Sequence, residues 1–141
     1  MKHTKNPLKL LSHPSSIGSL SGLVDLDLSG NRITGPMPEE IGSLKRLAKL
    51  DLSGNLMNGS LPLTITHCSS LASIDLSHNQ FRGEIPPELL NLNVLASLNV
   101  SYNNFYGIIP LSLENMSTLT TVDFSFNNFS GLVPDQGQFA N

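Results

Sequence analysis

Residues 75–79 read Asp-Leu-Ser-His-Asn, and Asp75, Ser77 and His78 are the residue types of a nucleophilic triad. Such chemistry needs a base within hydrogen-bond reach of the nucleophile and donors for an oxyanion. The same Asp-x-Ser step returns at Asp27–Ser29, Asp51–Ser53 and Asp123–Ser125 with no histidine after it. Neighbouring strand residues also point to opposite sides. His67-Cys68 offers two metal-ligand types, but no second pair stands at ligand spacing. Cys68 occupies a slot filled elsewhere by Leu or Met, so it is expected to be a small buried hydrophobe and not a reactive thiol. No glycine loop of a phosphate-cradling type occurs. The expectation is a non-enzyme with no catalytic residue, no metal and no cofactor.

Composition narrows the partners. The chain has 141 residues, a net charge of −3 and one cysteine. That length suits one domain, and a lone cysteine forms no internal disulfide. Without clustered Lys and Arg there is no surface for nucleic acid. The apolar runs are too short to span a bilayer, so no direct membrane insertion is expected. The N-terminal "MKHTKNPLKLLSHPSS" has a broken apolar stretch of four residues, a poor export signal; residues 1–12 are expected to form an irregular tail.

The elements that position these residues follow from a ruler. Asn31, Asn55, Asn79, Asn103 and Asn127 are spaced by 24 residues. Gly35, Gly59, Gly83, Gly107 and Gly131 keep the same step, as do Pro38, Pro62, Pro86, Pro110 and Pro134. Around them runs L-x-x-L-x-L-x-x-N, the signature of leucine-rich repeats. The alternating segment around Leu26 and Leu28 is a strand with one buried face. Stacking such segments makes a parallel sheet at about 4.8 Å per strand. The asparagine amide can satisfy backbone groups buried where the chain leaves the strand. After the proline, Ile17, Ile41, Ile65, Leu89 and Leu113 point inward from short helical or 3₁₀ turns.

The expected fold is therefore an α/β leucine-rich repeat solenoid. It has a parallel β-sheet on the concave face, short helical or 3₁₀ turns on the convex face, and five 24-residue repeats plus a leading half-repeat. The repeat domain is placed at 13–141: the half-repeat at 13–22, repeats starting at 23, 47, 71, 95 and 119, and the start of a cap at 135–141. The last strand, "TVDFSF", is expected to present an open apolar edge.

The pattern "PxxIGxLxxLxxLDLSxNxLxGxIP" resembles the plant-specific leucine-rich repeats of receptor kinases, receptor-like proteins and polygalacturonase inhibitors. Residues 119–139, "LTTVDFSFNNFSGLVPDQGQF", resemble the last ectodomain repeats of CLAVATA/BARELY ANY MERISTEM-class receptor kinases. The resemblance implies a protein partner, either a secreted peptide on the inner surface or a co-receptor at the final repeats. It also implies a place on the extracellular side of the plasma membrane. A transmembrane helix and a Ser/Thr kinase domain follow in that class, and neither is expected within this chain. The alternative is a truncated or non-signalling leucine-rich repeat protein acting as a scaffold or as an inhibitor of the polygalacturonase-inhibitor kind.

Two columns are candidates for contact. Asp27, Asp51, Asp75, Asn99 and Asp123 recur as repeat letters on the strand face. The column that changes is Gly30, Gly54, His78, Tyr102 and Phe126, growing toward aromatic. Aromatic groups with polar edges are favoured interface anchors, so His78, Tyr102 and Phe126, with Asp75, Asn99 and Asp123 beside them, are the expected partner-binding residues. Asp25 and Lys49 are expected to pair weakly. The N-x-S sequons at Asn58, Asn99, Asn115 and Asn128 number close to chance. Asn58, Asn115 and Asn128 are the candidate glycan acceptors, while a glycan on Asn99 would obstruct the strand face.

Overall fold

A computed structural model of the chain describes residues 14–135 and Phe139. The tail expected at 1–12 lies outside the described residues, as does most of the cap segment expected at 135–141.

Each coil starts with a short strand. These are β1 (Asp25–Asp27), β3 (Lys49–Asp51), β5 (Ser73–Asp75), β7 (Ser97–Asn99) and β9 (Thr121–Asp123). They form one parallel five-stranded sheet in sequence order. Leu26, Leu50, Ile74, Leu98 and Val122 face one another in register. The strands end early because the ruler asparagine turns the chain inward. The inter-coil ladder nevertheless continues past them through Leu52 N to Asp75 O at 2.9 Å and Gly54 N to Ser77 O at 2.9 Å.

The return side is short and helical. Helix α1 (Pro14–Gly18) is followed in later coils by 3₁₀ turns η1 (Glu39–Ser43), η2 (Leu63–His67), η3 (Pro87–Asn91) and η4 (Leu111–Asn115). An extended proline precedes each 3₁₀ turn, with φ between −60 and −72°. This ring-fixed angle leads the chain from the extended segment into the turn. Ile17, Ile41, Ile65, Leu89 and Leu113 all point into the core from these turns.

Between strand and turn the structure adds an element that the sequence reading did not foresee. Short strands β2 (Thr34–Gly35) and β4 (Leu56–Met57) pair with each other. Strands β6 (Arg82–Gly83), β8 (Asn104–Gly107) and β10 (Asn128–Phe129) form a second parallel ribbon. A glycine at the end of each of these segments or two residues beyond it sits at positive φ, from 75 to 86° across the five coils, a conformation that a side chain disfavours.

The core is one continuous file. Leu28, Leu52, Leu76 and Val100 are at most 2% exposed. Phe124 continues the file but is only half-buried, because no further coil covers it among the described residues. Inside the ribbon, Phe81, Phe105 and Phe129 stack with ring centres 6.2 and 6.4 Å apart. Phe124 meets Phe129 edge-on at 5.7 Å and Phe139 at 5.8 Å, so the last apolar edge is partly covered by its own chain.

Candidate functional site

The ruler asparagines hold neighbouring coils together. Asn79 donates from Nδ2 to Leu52 O of the preceding coil at 2.9 Å and to Leu76 O of its own at 3.2 Å. Its Oδ1 accepts from Met57 N at 3.0 Å. Asn55, Asn103 and Asn127 repeat the arrangement, accepting from the Ile33, Phe81 and Phe105 amides, respectively, of the preceding coils. Asn31 bonds only within its own turn among the described residues, to Leu28 O and Ser29 O.

The strand-face acids do local work as well. Asp27, Asp51, Asp75 and Asp123 each accept from the backbone N and the hydroxyl of the serine two residues on. This side-chain turn guides the chain off the strand. Asn99 makes the same pair of bonds to Ser101, at 3.0 and 2.7 Å. Asp75 and Asn99 are half-buried, whereas Asp123 is exposed. The Ser77 hydroxyl thus donates to Asp75 and not to an imidazole.

One residue after each serine, the chain enters the left-handed region. Gly30 and Gly54 have φ of 68 and 66°. His78, Tyr102 and Phe126 occupy the same conformation at 57, 54 and 57°, and they are the described non-glycine residues at positive φ. The conformation costs a side-chain residue on the order of 1 kcal/mol. It aims three rings the same way: His78 lies on Tyr102 and Tyr102 on Phe126, each pair at 4.2 Å and within 13° of parallel. The stack is not interior. Tyr102 is 44% and Phe126 67% exposed, and His78 is exposed too. The structure therefore brings these three together and sets Asp75, Asn99 and Asp123 three residues before them on the same coils.

Asp25 and Lys49 are register neighbours, but no ion pair joins them among the described residues, and Asp25 Oδ1 is buried without a hydrogen-bond partner. An exposed lysine gains too little from such a contact to offset its ordering. Cys68 is fully buried, with Sγ 3.1 Å from Ile41 O. Burial pushes its thiol up to about 11, against a smaller opposing pull from Lys45, which leaves it protonated and inert. Asn58, Asn115 and Asn128 are exposed, and Asn99 sits half-buried on the strand face. Among the described residues, no group of His, Cys, Asp and Glu is arranged to hold a metal ion, and no helix is long and apolar enough to cross a membrane.

Away from the stack, a groove of about 470 Å³ runs between two coils, lined by Ile85, Pro87, Ile108, Pro110 and Leu111 with Glu84 and Ser112. A counterpart of about 580 Å³ lies between earlier coils at Pro36, Pro38 and Pro62. The groove is thus a consequence of coil stacking. The groove went unforeseen, as did the left-handed backbone of the stack and the place of His78 in it, whereas packing of Tyr102 on Phe126 was the sequence alternative to a contact role. Only the changing residue types after the serines signalled the stack.

Family models described as leucine rich repeat match residues 5–57 and 21–81, and again 94–116 and 118–138. No curated protein sequence matches significantly. Among solved structures, the PEPR1–AtPEP1 complex is 37% identical, with a TM-score of 0.84 over 87% of this chain and 17% of that one. The Arabidopsis receptor kinase HAESA, in complex with the peptide hormone IDA and the co-receptor SERK1, is 34% identical, with a TM-score of 0.82 over 86% of this chain and 20% of that one. A plant ice-binding protein is 30% identical, with a TM-score of 0.81 over 86% of this chain and 39% of that one. The chain spans a fifth or less of the two receptor-complex structures.

Proposed function

Because the chain belongs to the leucine-rich repeat family, we propose that it is a protein-recognition module. In this reading it corresponds to the C-terminal ectodomain repeats of a plant receptor-like Ser/Thr kinase of the CLAVATA/BARELY ANY MERISTEM class. It meets a co-receptor ectodomain or a peptide ligand through the sheet face and its edge. The observation that carries this is the exposed ring stack. Three consecutive coils accept a strained backbone conformation in order to present His78, Tyr102 and Phe126 to solvent. A preformed aromatic surface loses little entropy on docking, and exposed rings in a row mark contact sites. Asp75, Asn99 and Asp123 form the polar flank of the same patch. The exposed Asn58, Asn115 and Asn128 suit glycan acceptors on the extracellular side of a plasma membrane. The repeats are taken to start at 23, 47, 71, 95 and 119.

The test replaces Tyr102 and Phe126 with asparagine, which tolerates the left-handed region, and measures affinity for the SERK1 ectodomain. Loss of a central aromatic anchor weakens binding by about 30-fold or more. Affinity unchanged in both variants rejects the anchors. A second reading, a repeat protein acting without a kinase as scaffold or inhibitor, is favoured by the ice-binding protein that shares the fold. Binding of the chain to a polygalacturonase, with no SERK1 binding, selects it.

A further inference from the structure

The ring stack ends abruptly on one side. In the next two coils its column holds Gly54 and then Gly30. A side-chain atom added at Gly30 would touch nothing within 4 Å, and one at Gly54 would meet only the Gly30 backbone, at 3.5 Å. His78 therefore faces Tyr102 on one side, at 4.2 Å, and on the other a notch two coils wide, about 10 Å at the usual strand spacing.

Acidic residues precede this column on the same coils. Asp51 precedes Gly54 by three residues and Asp75 precedes His78 by three. Each uses Oδ1 for its serine, and among the described residues no hydrogen bond reaches Oδ2. The turn does not require their charge, since the neutral Asn99 makes the same two bonds to Ser101 at 3.0 and 2.7 Å. The negative charge at 51 and 75 is thus additional to what the fold needs. The cations closest along these coils are Lys49, two residues before Asp51 and across from Asp25 on the sheet, and Arg32, two residues after Gly30; both are exposed.

We infer that the notch over Gly54 takes an arginine side chain from an extended basic segment of the protein partner, its guanidinium stacked on the free face of His78 and bridged to Asp51 and Asp75. This rests on the reading of the ring column as an interface and adds the chemistry of its partner. A planar guanidinium continues the stack at ring spacing, and its fork matches a carboxylate. A lysine ammonium offers no plane to stack. An aromatic ring would fill the space but leave the carboxylates unanswered.

The probe is N-acetyl-arginine methylamide, titrated into the full chain above the usual histidine pKa, with the His78 ring resonances as readout. The expected result is a saturable shift at His78, at least about tenfold weaker with the citrulline analogue, which keeps the plane and loses the charge. Asp51→Asn with Asp75→Asn keeps the turns, as Asn99 does, and weakens the arginine probe by about tenfold. His78→Gly, matching Gly54 in the same column, removes the response of the remaining notch amides. Equal binding of the citrulline probe, or no saturable shift at His78, overturns the inference. These outcomes are separate from those with SERK1. A chain that loses SERK1 through Tyr102→Asn yet shows no arginine shift keeps its anchors and loses the notch. A saturable, charge-dependent shift with SERK1 binding unaffected by Tyr102→Asn keeps the notch and loses the anchors.

Discussion

Replacing Asn79 with alanine separates an inter-coil ladder from a merely polar turn. The side chain serves four backbone groups: carbonyls of Leu52, Leu76 and Ser77 accept from Nδ2, and the Met57 amide donates to Oδ1. The losses are unequal. Leu52 O keeps Asn55 at 3.0 Å, Leu76 O keeps Asn103 at 2.9 Å, and Ser77 O keeps Gly54 N at 2.9 Å. Met57 N keeps nothing, and Met57 is fully buried. An orphaned buried amide costs about 1–3 kcal/mol, and the lost bridge to the preceding coil adds about 1. Asn79→Ala is therefore expected to destabilise the chain by about 2–4 kcal/mol in urea unfolding followed by circular dichroism. Asn31→Ala, at an exposed position where no described amide donates to Oδ1, should cost under about 1 kcal/mol. Equal costs for the two variants, or under about 1 kcal/mol for Asn79→Ala, would refute the claim that the single-partner amide sets the penalty.

Two further outcomes follow from the core. Phe105 is fully buried between the rings of Phe81 and Phe129, so Phe105→Ala should cost about 3–5 kcal/mol in the same unfolding measurement; a cost under about 1 would mean that the ring file is not close-packed. Cys68, pushed from 9.0 up to about 11 by burial, favours the folded chain only while its thiol is neutral. That contribution is whole below pH 9 and fades as pH climbs through about 11. Over that window the native chain should lose about 2–3 kcal/mol relative to Cys68→Ala, read from the urea midpoints of both; parallel curves would contradict the burial argument.

The sequence was most readable where one residue does one job in every coil. Leu26, Leu50, Ile74, Leu98 and Val122 sit at a constant spacing because each must fill the same place in a shared core, and the register of the sheet follows directly. The 3₁₀ turns after Pro38, Pro62, Pro86 and Pro110 were legible for the same reason, since proline and the following inward residue leave few alternatives. The second ribbon was not. Its strands are two to four residues long, as in Thr34–Gly35 and Arg82–Gly83, too short for alternation to stand out from a loop. The pairing expected between Asp25 and Lys49 failed because register neighbours are not thereby bonded: Asp25 Oδ1 is buried, while Lys49 is exposed.

By itself the sequence determined the coil, its period and the residue types in every column, including the change from glycine to ring at 30, 54, 78, 102 and 126. Only the tertiary structure decided that those rings touch, that their backbone is left-handed, and that the stack stops where Gly54 and Gly30 leave open space. The reason is distance along the chain. Residues 24 apart have no local interaction to reveal, and they become neighbours only when successive coils stack at the spacing that backbone hydrogen bonds impose.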